Sequence, residues 1–113
     1  MREGFLVMIE QIIKRDGRTA SFELDKIANA IFGAAQSVGG QDYEMAHELA
    51  EQVEKELEKT VKEKIPTVEQ IQDTVETVLI ESGHARTAKK YILYRNERTR
   101  VREMNTRLMK VYE

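Results

Sequence analysis

Four interruptions decide how this chain can fold. Asp16-Gly17, Gly39-Gly40, Ile65-Pro66 and Gly83 cut its 113 residues into a strand-like pair and four stretches of helical period. Asp-Gly between apolar runs is a hairpin signal, and it predicts strands over roughly 7–14 and 18–23. Gly-Gly and a lone glycine stop helices, and the residue before a proline is pushed out of the helical region.

Between these breaks the apolar residues recur at helical spacing. Leu24, Ile27, Ile31, Ala34, Ala35 and Val38 predict a first helix over 24–38. Asp42 stands where it can cap a second, whose apolar face is Ala46, Leu49, Ala50, Val53, Leu57 and Val61. Its glutamates and lysines occupy the remaining faces, the pattern of a solvated amphipathic helix. Thr67 with Gln70 is a capping box opening a third helix, lined by Val68, Ile71, Val75, Val78 and Leu79.

The fourth helix starts near His84 and runs toward the C-terminus. Thirty helical residues would span about 45 Å, too long to pack wholly on a small bundle. Ala88, Tyr91 and Ile92 read as core, whereas 95–100 holds no apolar residue and leaves it. Val101, Met104, Leu108 and Met109 or Val111 then restart a stripe that needs a partner, either another copy or a following domain. The chain therefore divides into a domain over 1–100 and a helical extension over 101–113.

Composition narrows the chemistry. The chain has no cysteine, which removes disulfides, thiolate catalysis and zinc ribbons. No run of about 18 apolar residues predicts a membrane span, and the start lacks the pattern of a signal peptide, so a cytoplasmic protein is expected. His47 and His84 have no companions that would make a metal cluster, and no catalytic carboxylate pair stands out. The net charge of −2 conceals an uneven distribution: residues 1–41 are neutral, 42–83 carry −8 and 84–113 carry +6. Such a basic segment fits an anion site, helix pairing within the domain, or a nucleic-acid patch.

Lys14 and Arg15 sit beside the hairpin turn, and Lys26 lies in the first turn of the first helix. Taken alone, the turn cations read as solvated charges. Lys26 is less ordinary, because a helix N-terminus disfavours a cation unless an anion is present. Tyr91 reads as core, and Tyr94 is compatible with core or with a ligand platform.

Four blocks, in this order, carry a family resemblance: Lys14-Arg15-Asp16-Gly17, Phe22-Glu23-Leu24-Asp25-Lys26-Ile27, Val68-Glu69-Gln70-Ile71-Gln72-Asp73, and Ala88-Lys89-Lys90-Tyr91-Ile92-Leu93-Tyr94-Arg95. Together they resemble the ATP-cone domain, the regulatory nucleotide-binding module at the N-terminus of many ribonucleotide reductases. The resemblance implies an α+β, mainly α fold, with a small β-hairpin or sheet capping a four-helix bundle and an extended last helix. It implies binding of ATP as activator and dATP as inhibitor, often with Mg2+, and control of a distant catalytic domain through oligomeric state. The expected partners are an adenine nucleotide, a reductase catalytic domain and further copies of the chain, with neither membrane nor nucleic acid among them.

Carried over residue by residue, the resemblance places Lys14 and Arg15 at the phosphates and Lys26 with Ile27 at the pocket wall. Ile12, Phe22 and Glu23 fall near the nucleotide, and Val68, Ile71 and Gln72 fall where base and sugar are approached. Some members carry histidine at the Gln72 position. Arg95 matches a fourth-helix cation that reaches phosphates. The extension looks most like the linker of the anaerobic reductase type. A repressor relative carries a four-cysteine zinc ribbon ahead of its cone, and no cysteine exists here to form one. The competing expectation is a helical interaction module whose Arg98, Arg100, Arg102, Arg107 and Lys110 bind protein or nucleic acid, with steep salt dependence and indifference to ATP.

Overall fold

The computed structural model describes residues 9–61 and 65–112, with side chains described up to residue 105. Two short antiparallel strands, β1 (Gln11–Ile13) and β2 (Thr19–Ser21), precede four helices: α1 (Leu24–Gln36), α2 (Tyr43–Val61), α3 (Val68–Glu81) and α4 (Ala85–Tyr112). The expected mainly α architecture, a hairpin followed by four helices, is what forms.

The strands are shorter than the apolar pattern suggested, because the turn is wider than two residues. Ile13 pairs with Thr19, and residues 14–18 make the loop. Lys14 N–H donates to the Arg18 carbonyl at 2.7 Å, and Gly17 N–H to the Lys14 carbonyl at 2.9 Å. Gly17 has a φ of 90°, a left-handed value that favours glycine. Asp16 fastens the loop by accepting from Arg18 N–H at 3.0 Å and from its Nε at 2.8 Å. Those hydrogen bonds, led by the backbone one, hold the Asp16 carboxyl below its ordinary value. Residues 7 and 8 of the expected first strand lie outside the described residues.

The free edge of β1 is not left to solvent. Ile13 forms a parallel bridge with Thr67, and its N–H donates to the Pro66 carbonyl at 2.9 Å. The proline that interrupts the helical pattern thus supplies a carbonyl to the sheet edge. Thr67 then starts α3 with both arms of the capping box: Gln70 N–H donates to its hydroxyl at 3.1 Å, and Gln70 Oε1 accepts from its N–H at 2.9 Å.

The helices close into a ring in which α1 packs on α2 and α4, and α3 packs on α2 and α4. The buried face of α2 is the expected one, Ala46, Leu49, Ala50, Val53, Leu57 and Val61. Asp42 caps it, accepting from Met45 N–H at 3.0 Å. In α3, Ile71, Val75, Val78 and Leu79 are buried, while Val68 is half-buried. α1 ends at Gln36, before Val38, because Gly39 turns left-handed at φ 97° and Gly40 N–H returns to the Ala35 carbonyl at 2.8 Å.

Ile31, Val53, Leu57, Val75 and Leu79 are fully buried at the centre, each contributing on the order of 2 kcal/mol by removal from water. Ile9 is buried with them, and Ile12 and Phe22 pack against the cluster, so the hairpin covers one end of the bundle. α4 contributes Ala88 and Tyr91 to the core and then outruns it: Val101 and Met104 are exposed. The side chains of Leu108, Met109 and Val111, expected on the same stripe, lie outside those described. Among the described residues no helix is long and apolar enough to cross a membrane.

Candidate functional site

A cleft of about 580 Å³ opens beside the hairpin, between α1, α3 and α4. The hairpin loop contributes Arg15, α1 contributes Lys26, Asn29 and Ala30, and α3 contributes Val68 and Gln72. α4 contributes Tyr91, Tyr94, Arg95, Arg98 and Arg102 at helical spacing, so one face of that helix makes a whole wall. Five cations therefore surround the cleft, and among the described residues no carboxylate lines it.

Two of these cations are held from α3. Arg15 Nη1 donates to Glu69 Oε2 at 2.7 Å, and its Nη2 to Gln72 Oε1 at 3.3 Å. Arg95 Nη1 donates to Asp73 Oδ1 at 3.0 Å and also to Glu76 Oε2. Glu69, Gln72, Asp73 and Glu76 share one face of α3 through their spacing of three and four residues. That face fixes both guanidiniums at the cleft rim. Arg95 is only 18% exposed at its side chain. Burial works against its charge, and the hydrogen bonds to Glu76 and Asp73 prevail, so its pKa stands above the ordinary value.

Lys26 is looser, with Nζ 3.9 Å from Glu23 Oε2 and 77% of its side chain exposed. Arg98 donates to the Tyr94 hydroxyl at 3.0 Å, and its guanidinium sits 5.8 Å from the centroid of the same ring. Tyr94 is 53% exposed and offers an open aromatic face. Tyr91 is buried, and burial, more than any neighbouring charge, pushes its hydroxyl up to about 12. It stays protonated at neutral pH, and its hydroxyl has no hydrogen-bond partner among the described residues. It is available as a donor to something in the cleft.

Of the residues proposed from sequence, the cleft brings together Arg15, Lys26, Val68, Gln72 and Arg95. Lys14 is exposed in the hairpin loop and does not line it. Glu23 stands exposed at the start of α1, Ile12 on β1 and Phe22 just after β2 are half-buried, and Ile27 and Ile71 belong to the core. These five support the walls without lining them. Asn29, Tyr94, Arg98 and Arg102 were not among the proposed site residues. Their signal was available as helical spacing of three or four residues: Asn29 follows Lys26 by three on α1, and Tyr94, Arg98 and Arg102 continue from Tyr91 and Arg95 in steps of three or four on α4. The cations of the competing basic-helix reading are divided. Arg98 and Arg102 face the cleft, and Arg100 pairs with Glu97 at 2.8 Å along its own helix. Arg107 and Lys110 lie outside the described side chains.

A cleft with this character can receive both a polyanion and a flat ring. Guanidinium and ammonium groups suit phosphate oxygens, and an exposed tyrosine face suits a base. The chain's similarities agree with that chemistry. A family model described as the ATP cone domain matches residues 10–100. Over 101 residues the chain is 45% identical to a vitamin B12-dependent ribonucleoside-diphosphate reductase of Thermoplasma acidophilum, covering 85% of this chain and 13% of that protein. It is 37% identical over 102 residues to an anaerobic ribonucleoside-triphosphate reductase of Haemophilus influenzae, covering 90% of this chain and 14% of the relative. A ribonucleoside-diphosphate reductase subunit alpha of Chlamydia muridarum is 37% identical, with 81% of this chain and 10% of the relative covered. The chain thus spans between a tenth and a seventh of the length of these relatives.

Proposed function

We propose, since this chain belongs to the ATP cone domain family, that it is a regulatory module that binds ATP or dATP and controls a ribonucleotide reductase catalytic domain, with no chemistry of its own. The observation that carries this reading is the convergence of five cations from three segments on a cleft that no described carboxylate lines. Arg15, Lys26 and Arg95 hold the phosphates, with Arg98 and Arg102 extending the positive wall. Lys14, one residue from Arg15 in a solvent-exposed loop, reaches a terminal phosphate by side-chain rotation. Val68, Gln72 and the Tyr94 face receive base and sugar, while Ile12, Phe22, Glu23, Ile27 and Ile71 support them from behind.

Mg2+ enters with the nucleotide. Among the described residues no group of three or more His, Cys, Asp or Glu could hold a metal ion. A magnesium ion would be held mainly by phosphate oxygens and water, with at most one or two carboxylates from the chain. It would lower the charge that the arginines must balance. The catalytic domain is either a further part of a longer chain or a separate subunit, and 101–113 is the helical connection toward it. The proposed output is assembly state, transmitted along α4. The reading places the module in the cytoplasm with the nucleotide pool it senses.

Calorimetric titration with ATP, dATP and GTP, with and without Mg2+, tests the reading. Adenine-selective binding that weakens in Arg15→Ala and Arg95→Ala is expected. Absence of adenine-nucleotide binding at millimolar concentration overturns it. Sizing in ATP and in dATP tests the output: identical mass in both argues against control through assembly of this domain.

A further inference from the structure

At the end of the bundle opposite the hairpin lies a second cavity, of about 530 Å³. Its apolar side comes from Ile31 of α1, from Val38 in the turn after α1, and from Met45 and Leu49 at the start of α2; its other side is the first turn of α4. The volume is within the range of roughly 300–1,000 Å³ typical of small-molecule sites.

Two helix N-termini meet this cavity, and they differ. That of α2 already has an anion, because the Asp42 carboxylate accepts from Met45 N–H at 3.0 Å. That of α4 has none among the described residues. Ala88 N–H, the first intrahelical donor, reaches the His84 carbonyl at 2.9 Å, and the amides of Ala85, Arg86 and Thr87 before it have no acceptor within the helix. A second observation is independent of the helix end. Thr87 is 8% exposed, and it lines the cavity. Its hydroxyl has no hydrogen-bond partner among the described residues, although buried hydroxyls are ordinarily satisfied. Arg86 lines the same wall with no carboxylate partner among the described residues.

We propose that this cavity is a second ligand site, for a small organic carboxylate with a short apolar body. The carboxylate takes the place at α4 that Asp42 takes at α2. Its oxygens accept from the first-turn amides and from the Thr87 hydroxyl, with Arg86 balancing the charge. The apolar body lies along Ile31, Val38, Met45 and Leu49. A neutral molecule would leave the amides unmet, and inorganic phosphate would leave the apolar wall wet.

The test uses the whole chain, 15N-labelled, titrated with hexanoate, with 1-hexanol and inorganic phosphate as comparisons. Hexanoate is expected to shift the amides of Ala85, Arg86, Thr87 and Gly40 saturably, with a dissociation constant at or below about 10 mM, within the reach of a ligand of that size. Both comparison molecules bind at least about fivefold more weakly, and ATP does not displace hexanoate. Thr87→Val, which keeps the shape and removes the hydroxyl, weakens binding about tenfold, whereas Thr87→Ser retains it. Non-saturating shifts, equal affinity for hexanol, or an unchanged constant in Thr87→Val each overturn the proposal. If the valine variant fails to fold, Arg86→Gln serves, with about threefold weakening expected and no change overturning it.

Discussion

Arg15 and Glu69 are 54 residues apart in sequence, yet the guanidinium of one donates to the carboxylate of the other at 2.7 Å. The pair joins the hairpin loop to the first turn of α3. It also means that a cation proposed for phosphate already has an anion. At 29% and 61% side-chain exposure the pair is worth under about 1 kcal/mol, so a triphosphate can replace it.

Glu69→Gln should therefore tighten ATP binding. It keeps an acceptor for Arg15 and removes the competing charge. An increase of about two- to fivefold at low salt is expected by calorimetry, shrinking as salt screens the charge. A weakened or unchanged constant would show that Glu69 is not a competitor for Arg15.

Lys14 and Arg15 should prove unequal. Only Arg15 lines the cleft. A charge-assisted hydrogen bond contributes roughly 1.5–3 kcal/mol, so Arg15→Ala should weaken ATP about 10- to 100-fold. Lys14→Ala should cost less. Equal losses would mean that the loop rearranges on binding to bring both cations to the phosphates.

Tyr91 should make stability fall at high pH. Its folded pKa of about 12 lies above the ordinary 10.0 because burial opposes the phenolate. The folded state thus keeps a proton that the unfolded chain releases. The contribution is fully present below pH 10 and is lost as pH rises toward 12. The loss is on the order of 2 kcal/mol. Urea unfolding across that window should show it, and Tyr91→Phe should flatten that part of the profile. A profile that Tyr91→Phe leaves unaltered would assign the loss to other groups.

Thr67→Ala should lower stability by about 1 kcal/mol through loss of its cap, or roughly 4 °C in melting temperature. Because the Thr67 backbone also bridges Ile13, amide exchange in β1 should quicken more than in α2. Uniform quickening would mean that the cap and the sheet edge are energetically separate.

What could be read in advance followed from local rules. The buried faces of α2 and α3 repeat at helical spacing, and Thr67 and Gln70 make both bonds that their three-residue separation promised. What could not be read depends on which surfaces meet. Nothing in the alternation of β1 shows that Ile13 would borrow a carbonyl from Pro66. Nothing near Arg95 names Asp73 and Glu76 as its holders, 22 and 19 residues away. The family resemblance supplied Arg15, Lys26 and Arg95 as neighbours. It was silent about Arg98 and Arg102, which become part of the cleft only because α4 continues straight past it. That the buried Thr87 hydroxyl has no partner among the described residues is likewise a property of packing, since threonine in the first turn of a helix is ordinary in sequence.

The length of α4 has a mechanical consequence. Its 28 residues run unbroken from Ala85 to Tyr112, and Tyr91, Arg95, Arg98 and Arg102 sit on it midway. From Arg95 to Tyr112 is about 26 Å of stiff rod at 1.5 Å per residue. A pivot of about 10° at the arginines sweeps the far end through about 4.5 Å, roughly twice the backbone radius of a helix. A small change in the angle of α4 at the cleft would therefore be enlarged at the far end of the helix.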